Sequence, residues 1–506
     1  MRRDMKYQCM LGISGIERTF AVSLFRDGAV TFAIEEDKLR RFRGLGMRHL
    51  TALGSRAIDL ALAKLQSGIR AVDQVTYVAP LGASRAETEE QCAFVSEFLR
   101  RYYGFSPPVI GIDHVAAHLA FERAVNCSAE SVLYVGRSRA VYSHSTSSEY
   151  DFDRDFTVVS FVQHWAEFLG MELGRIHHLE SMARFGKPRF IDELGKLLDR
   201  GFDPQNTNQA LREITGGPHL FSPASFTEIH YDFAASVHRL LRLKVCDLIR
   251  SIPSERRSGP VVLSGGVFQS WSLNDAIAQE FPETRFLVSF APGDPSCAVG
   301  GPLVLSGYKG NCLNPFLGPK YNRGEIKAVL DNCKAAYELC SYPETLEIVC
   351  DALAGGKMVG WFSGPCEFGY RALGARSVFA NPENPYACDN LSSFLKSRAR
   401  YLTYAVAMKD CNAPIADSPH LSHSTLLPQY FGDSRVRIQT VSRATNPILD
   451  EILSAFQKKT GVSALLNTSL NYFDEPIACT PRDALKTFYA SGLDMLVMEG
   501  FVLRKS

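Results

Sequence analysis

Residues 367–377 read EFGYRALGARS, and the stretch places two arginines, Arg371 and Arg376, among small residues. It follows the apolar run Met358-Val359-Gly360-Trp361-Phe362, which predicts a buried strand ending at Ser363-Gly364-Pro365. Glycines at 364, 369 and 374 permit positive φ and a close approach of backbone to a ligand. A guanidinium stays charged at any relevant pH and matches carboxylate or phosphate oxygens two at a time. A glycine-rich turn with two arginines after a strand therefore reads as an oxyanion cradle. The alternative is a solvated loop with two surface arginines.

Outward from this stretch the chain alternates strand and helix. Near the start, runs at Cys9–Ile13, Ala21–Phe25 and Ala29–Ile34 predict strands, the last two joined by an Arg26-Asp27-Gly28 turn. Helices are expected over 51–65 and 86–103, and strands over 74–78 and 109–112. This alternation argues for α/β layers, sheets covered by helices. Asp113 is placed to cap a helix carrying His114 and His118. Their i, i+4 spacing puts both imidazoles on one face, which suits a metal or a pair of packed histidines. A strand over 132–135 leads into Gly136 and Arg137, and the polar stretch 143–155 reads as a loop. An amphipathic helix is expected over 228–250.

The run VVLSGGVFQS, residues 261–270, predicts a buried strand that delivers Gly265 and Gly266 to a helix starting near Ser272. Backbone amides at such a turn bind phosphate or nucleotide. Asp294, in Ala291-Pro292-Gly293-Asp294, reads as a ligand or as a turn cap. Residues 306–324 are rich in Gly, Pro and Asn and mark a boundary between domains at 1–310 and 325–506. In the second domain, Lys396 and Arg398 suit either phosphate contact or a solvated helix face. Asn467, Ser469 and Asn471 follow a buried strand, where short amides and hydroxyls suit a small planar ligand, a nucleotide or an ordinary turn.

The composition narrows the function classes. Lys plus Arg total 55 and Asp plus Glu 54, a net charge of +1, so bulk electrostatics favour neither nucleic acid nor an anionic membrane. No apolar run reaches the roughly 20 residues of a membrane span. The start lacks the apolar stretch of a secretion signal. Thirteen cysteines, odd in number and scattered, suit reduced thiols in a cytoplasmic protein better than a disulfide framework or structural zinc.

EFGYRALGARS resembles the EFGPRALGNRS segment of the O-carbamoyltransferases that decorate antibiotics and nodulation factors, with Tyr370 at its Pro and Ala375 at its Asn. Other pieces resemble that family in order along nearly the whole chain. They include the hairpin with Gly12, Ser14 and Gly15, then Glu35, Glu36 and Arg40, the HxxxH at 114–118, and the segment 178–188. SGGV with Asp294, the segment 390–400 and Leu465–Asn471 continue the series. The resemblance implies an actin-like ATPase (Kae1-like) amino-terminal domain and a YrdC-like α/β carboxy-terminal domain. It implies formation of carbamoyl adenylate from carbamoyl phosphate and ATP with Mg²⁺, then transfer to a small-molecule hydroxyl or amine.

By that resemblance, Arg371, Arg376, Lys396 and Arg398 hold carbamoyl phosphate and the ATP phosphates, and Asn467, Ser469 and Asn471 line the same site. His114, His118 and Asp294 form a metal site for iron(II), and Gly265 and Gly266 contact the adenylate. Several family residues are exchanged. Arg18, Thr19 and Phe20 stand at a His-Asp-Ser, Gly136 at an Asp of the metal site, and Leu402 at an Arg. Arg137 and Arg139 are placed to hold phosphate by charge, and His144 is a conceivable replacement ligand. Two other functions remain open: a homologue without transfer chemistry that serves as a partner or scaffold, and an ATP-dependent ligase for a different small acid. A homodimer or a biosynthetic partner protein is compatible with each.

Overall fold

The computed structural model of the chain describes residues 8–127, 129–144, 150–153, 157–168, 176–183, 185–199, 203, 209, 212, 227–308, 310, 312–391, 405–409, 437–472 and 475–505. Its first sheet contains β1 (Cys9–Ser14), β2 (Ala21–Arg26), β3 (Ala29–Glu35), β4 (Gln74–Val78) and β5 (Val109–Ile112), in the order β3-β2-β1-β4-β5. β1 pairs antiparallel with β2 and parallel with β4, so the tight hairpins lie on one side and the helical crossovers on the other. All six residues of β1 are buried, as its unbroken apolar run CMLGI leads one to expect of a central strand.

The second sheet repeats this plan. It holds β6 (Ser131–Val135), β7 (Ala140–His144), β8 (Tyr150–Asp153), β9 (Val261–Ser264) and β10 (Phe286–Val288), in the order β10-β9-β6-β7-β8. Again the first strand pairs antiparallel with the second and parallel with the fourth. The doubled order agrees with the actin-like ATPase fold expected in general for this part of the chain. β8 is a correction: part of the polar stretch read as a loop is a third strand, paired antiparallel to β7. Its four residues, Tyr150-Asp151-Phe152-Asp153, do alternate aromatic and acidic, but the run is short and lies in a polar, acidic stretch. The expected helix over 51–65 is shorter, Arg56–Leu62, preceded by a 3₁₀ turn at Met47–Leu50.

The third sheet has eight strands. They are β11 (Glu338–Leu339), β12 (Val359–Phe362), β13 (Arg376–Ala380), β14 (Ala405–Lys409), β15 (Arg437–Val441), β16 (Ala464–Ser469), β17 (Met495–Met498) and β18 (Phe501–Arg504). Their order is β11-β18-β17-β12-β13-β16-β14-β15. EFGYRALGARS is thus the connection that turns β12 back into its antiparallel neighbour β13. Thr480, Pro481 and Asp483 form the expected helix start, with the Thr480 hydroxyl accepting from the Asp483 N–H.

That connection packs against the first sheet. The Lys38 ammonium donates to the carbonyls of Glu367 and Gly369 at 2.6 and 2.5 Å and pairs with Glu35 at 2.8 Å. Burial pulls the Lys38 pKa down, but the Glu35 charge and neighbouring anionic groups outweigh it and the pKa is raised. The other Glu35 oxygen accepts from the Gly369 N–H at 2.7 Å. Arg41 joins its Nη2 to Glu475 at 2.7 Å and its Nη1 to the Ile477 carbonyl at 2.7 Å. Cys366 and Cys479, from the carboxy-terminal region, share an apolar cluster with residues of the first sheet.

Candidate functional site

Two helices press together beside the first two sheets. His114–Val125 carries the paired histidines, and Cys297–Ser306 follows Asp294. A Cβ on Gly300 would lie 2.0 Å from the Ala117 carbonyl oxygen, so only glycine permits this approach. The Asp113 carboxylate caps the first helix through the Ala116 N–H, as its sequence position suggests. His114 Nδ1 lies 3.0 Å from the Ala79 carbonyl, which can only accept, so Nδ1 carries a proton and the contact fixes the ring orientation. His118 Nδ1 lies 3.3 Å from Ser264 Oγ and 3.5 Å from Ser296 Oγ. His118 is fully buried, and its Nε2 finds no hydrogen-bond partner among the described residues.

Asp294 Oδ1 stands 3.7 Å from His114 Nε2 and 3.8 Å from His118 Nε2. The structure therefore brings together the three residues expected to form a metal site. Desolvation pushes the Asp294 carboxyl upward, but His118, His114 and the Arg137 guanidinium together hold it below the usual carboxylate range. Burial lowers the His118 imidazole and keeps it neutral, the form that binds a cation. Two imidazole Nε2 atoms facing one carboxylate fit a divalent metal. One turn along the helix, buried Glu122 accepts from Ser289 Oγ at 2.9 Å, and burial pushes its pKa up to about 8.

The exchange at Gly136 has a local cause. A Cβ there would meet the Tyr134 hydroxyl at 2.4 Å and Leu81 Cδ2 at 2.7 Å. The Tyr134 ring lies 4.9 Å from the His118 ring, so phenol fills the side of the crevice where a carboxylate was expected. His144 does not replace it. It pairs across the sheet with Ser131, at the far end of β6 from Val135, and faces Glu130 at 3.5 Å. Cys297 was missed in the sequence: one ligand atom from each of His114, His118 and Cys297 lies within 4.8 Å of the others. The signal was only its position three residues after Asp294.

Gly265 and Gly266 adjoin this crevice. Gly265 has φ +115°, and its Cβ would meet the Val135 carbonyl oxygen at 2.1 Å. A Cβ on Gly266 would meet nothing within 4 Å, so the backbone there faces open space. The Gly265 N–H donates to the Pro292 carbonyl at 2.8 Å, tying the glycine turn to the loop that carries Asp294. Ser270 caps the following helix through the Leu273 N–H.

Arg371 reaches the same turn. Its Nη2 donates to the Gln269 carbonyl at 3.2 Å, and its guanidinium lies 4.5 Å from the centre of the Tyr370 ring. No other hydrogen bond holds it among the described residues. Gly369, at φ +93°, lets the loop pass Phe290, whose carbonyl oxygen a Cβ would meet at 2.5 Å. Asn467 supports the loop from below, donating to the Ala372 carbonyl at 3.3 Å and to Gln439 Oε1 at 2.6 Å. Ser469 Oγ donates to Asn471 Oδ1 at 2.6 Å, and Asn471 Nδ2 donates to the Glu475 carbonyl.

Arg376 departs from its expected role. Its side chain is fully buried. Nη1 donates to the carbonyls of Ser363 and Ala375, and Nη2 to those of Pro319 and Gly364, at 3.0–3.2 Å. The guanidinium also stacks 3.7 Å from the Phe362 ring centre. A fork spent on four carbonyls cannot also grip an anion, so the cradle falls to Arg371. The reason is the strand start: Arg376 opens β13 and points into the protein rather than along the turn. Lys396 and Arg398 lie outside the described residues, as does Leu402.

Residues 350–505 match the carbamoyltransferase C-terminus family. The chain is 26% identical to the nodulation protein NolNO of Sinorhizobium fredii, over 96% of this chain and 78% of that protein. It is 28% identical to the 3'-hydroxymethylcephem-O-carbamoyltransferase of Amycolatopsis lactamdurans, over 47% of this chain and 48% of that protein. Among solved structures it is similar to component A of the Acidaminococcus fermentans (R)-2-hydroxyglutaryl-CoA dehydratase. That match has a TM-score of 0.36 and 14% identity, over 58% of this chain and 96% of that one. The sequence matches support a carbamoyltransferase-family assignment and carbamoyltransferase-like enzymatic activity. Among the described residues no helix is long and apolar enough to cross a membrane.

Proposed function

We propose that the chain is an ATP-dependent carbamoyltransferase of secondary metabolism that works through carbamoyl adenylate. The observation that carries this reading is the Arg371–Gln269 contact, which sets the arginine turn against the Gly265-Gly266 turn and hence beside His114, His118 and Asp294. An activating site and a transfer site would then share one crevice, and a labile adenylate would have a short path between them. On this reading residues 1–310 form a Kae1-like transfer domain and 325–506 a YrdC-like activating domain.

The chemistry is balanced as follows. Water splits carbamoyl phosphate to carbamate and phosphate, and a carbamate oxygen attacks the α-phosphorus of Mg²⁺-bound ATP, releasing pyrophosphate. An acceptor hydroxyl or amine then attacks the carbonyl carbon, its proton leaves, and AMP departs. Arg371 neutralises and aligns the anionic substrate, a task that needs positioning more than covalent help. The Gly266 backbone, which borders open space, faces the nucleotide, and Gly265, whose N–H is held by the Pro292 carbonyl, shapes the turn. A divalent metal held by His114, His118 and Asp294 would supply positive charge for the carbonyl oxygen and the leaving AMP. Ser14, whose buried hydroxyl has no partner among the described residues, stands at the end of β1 where the hairpin would meet phosphate.

Pyrophosphate release from the purified chain with ATP, Mg²⁺ and carbamoyl phosphate tests this reading. Release should stop when carbamoyl phosphate is omitted. Release independent of carbamoyl phosphate would favour a ligase for another acid.

A further inference from the structure

We propose that Cys297 is a metal ligand, completing with His114 and His118 a mixed nitrogen–sulfur site selective for a borderline-soft divalent ion of the zinc type. The proposal rests on the reading of this crevice as a metal-assisted transfer site, and it names the ion class that the site takes. Three independent features support it.

The donor atoms converge. One ligand atom from each of the three residues lies within 4.8 Å of the others, and all three side chains are buried. In a tetrahedral site with bonds of roughly 2.0–2.3 Å the ligand atoms sit about 3.3–3.8 Å apart, so closure from the 4.8 Å limit requires approaches of about 1.0–1.5 Å. Both imidazoles are already oriented by their other nitrogen, His114 through the Ala79 carbonyl and His118 through Ser264. The buried His118 Nε2 has no hydrogen-bond partner among the described residues, an arrangement that a bound cation would satisfy.

The oxygen side of the site is depleted. At Gly136 no carboxylate is present, and the Tyr134 hydroxyl occupies the space a side chain would need. Asp294 lies farther from both imidazoles than a hydrogen bond, and its side chain is 53% exposed. Asp294 is thus the exposed neighbour of the pair, and Cys297 the buried one. Exchanging hard carboxylate for thiolate moves preference away from magnesium and manganese toward zinc and its cobalt analogue.

The helix packing places the thiol. Cys297 opens the ten-residue helix that ends at Ser306. Gly300, on the next turn, brings that helix against the histidine helix. The thiol is therefore aimed at the imidazoles by the same contact that packs the domain.

The test uses the full-length chain, stripped of metal by a chelator and titrated with Co²⁺ alone. A thiolate ligand gives an intense near-ultraviolet sulfur-to-cobalt charge-transfer band, so one equivalent should develop this band and Zn²⁺ should displace it. Cys297→Ser should abolish the band and weaken Co²⁺ at least ~10-fold, the lower bound for losing a metal-supporting group. His118→Gln should abolish the same band, while Cys127→Ser, at an exposed cysteine, should leave it intact. Bound Co²⁺ without the band, or a band that survives Cys297→Ser, would overturn thiolate ligation. Absence of stoichiometric Co²⁺ binding by the wild-type chain would overturn the metal site itself. Absence of the band in the wild-type chain overturns thiolate ligation even if a variant does not fold. Carbamoyl-phosphate-dependent pyrophosphate release, measured on the same preparations, reports separately on the proposed activating chemistry.

Discussion

Replacing Arg376 and Arg371 in turn separates the two arginines of the turn. Arg376 donates four hydrogen bonds to buried carbonyls and stacks on Phe362. Hydrogen bonds to a charged group are each worth about 1.5–3 kcal/mol, but carbonyls tolerate partial satisfaction and the four losses do not add. Arg376→Ala should therefore cost about 3–5 kcal/mol, a large share of a domain's stability. Arg371 makes one bond of 3.2 Å at a half-buried position, so Arg371→Ala should cost about 1 kcal/mol. Urea denaturation measures both. Pyrophosphate release, normalised to folded protein, should survive in Arg376→Ala at low temperature and vanish in Arg371→Ala. A stable Arg376→Ala protein that has lost its dependence on carbamoyl phosphate would refute this division of labour.

Gly265→Ala should destabilise by about 3 kcal/mol, because φ +115° and a 2.1 Å approach to Val135 both oppose a Cβ; thermal melting measures it. Gly266→Ala should leave the melting temperature within a degree or two and weaken ATP in equilibrium dialysis, since its Cβ would enter open space. Glu367 Oε1 accepts the N–H groups of Leu373, Ala375 and Arg376, so Glu367→Ala should cost about 3–5 kcal/mol in urea unfolding and Glu367→Gln, which keeps an acceptor, under about 2 kcal/mol. Burial raises the Asp37 pKa from 3.8 to about 6 against the two backbone N–H groups it accepts. The folded state thus binds this proton more tightly than the unfolded chain, so its contribution is full below about pH 4 and is lost as pH rises through about 6. Relative to Asp37→Asn, the wild type should lose about 2–3 kcal/mol between pH 4 and pH 7, measured by denaturation at each pH. A flat difference would contradict the burial argument.

Much of the architecture was legible because it rests on local patterns. β1, β4, β9 and β12 are short apolar runs bounded by turn residues, and the Asp113 and Thr480 caps follow from single side chains. The doubled sheet plan was hidden, since topology repeats here without repeated residues. β8 was hidden because a four-residue Tyr-Asp-Phe-Asp alternation is too short to stand out from the polar stretch around it. The HxxxH pair and Asp294 were singled out through the family resemblance, because spacing alone equally suits packed histidines and turn chemistry alone equally suits a turn cap. Cys297 could not be read, because only the close packing of its helix against Ala117 aims it at His114 and His118. Arg376 illustrates the opposite limit: an arginine in a glycine-rich turn has the same sequence signature whether it faces a ligand or four carbonyls.

The central claim is that this crevice activates a carbamoyl group as its adenylate. Its most direct test is to incubate the chain with ATP, Mg²⁺ and carbon-labelled carbamoyl phosphate without an acceptor, then quench and separate the nucleotides. The account predicts label comigrating with an AMP adduct, formed one-for-one with pyrophosphate and absent in Arg371→Ala. Pyrophosphate formation with no label on the nucleotide would contradict it.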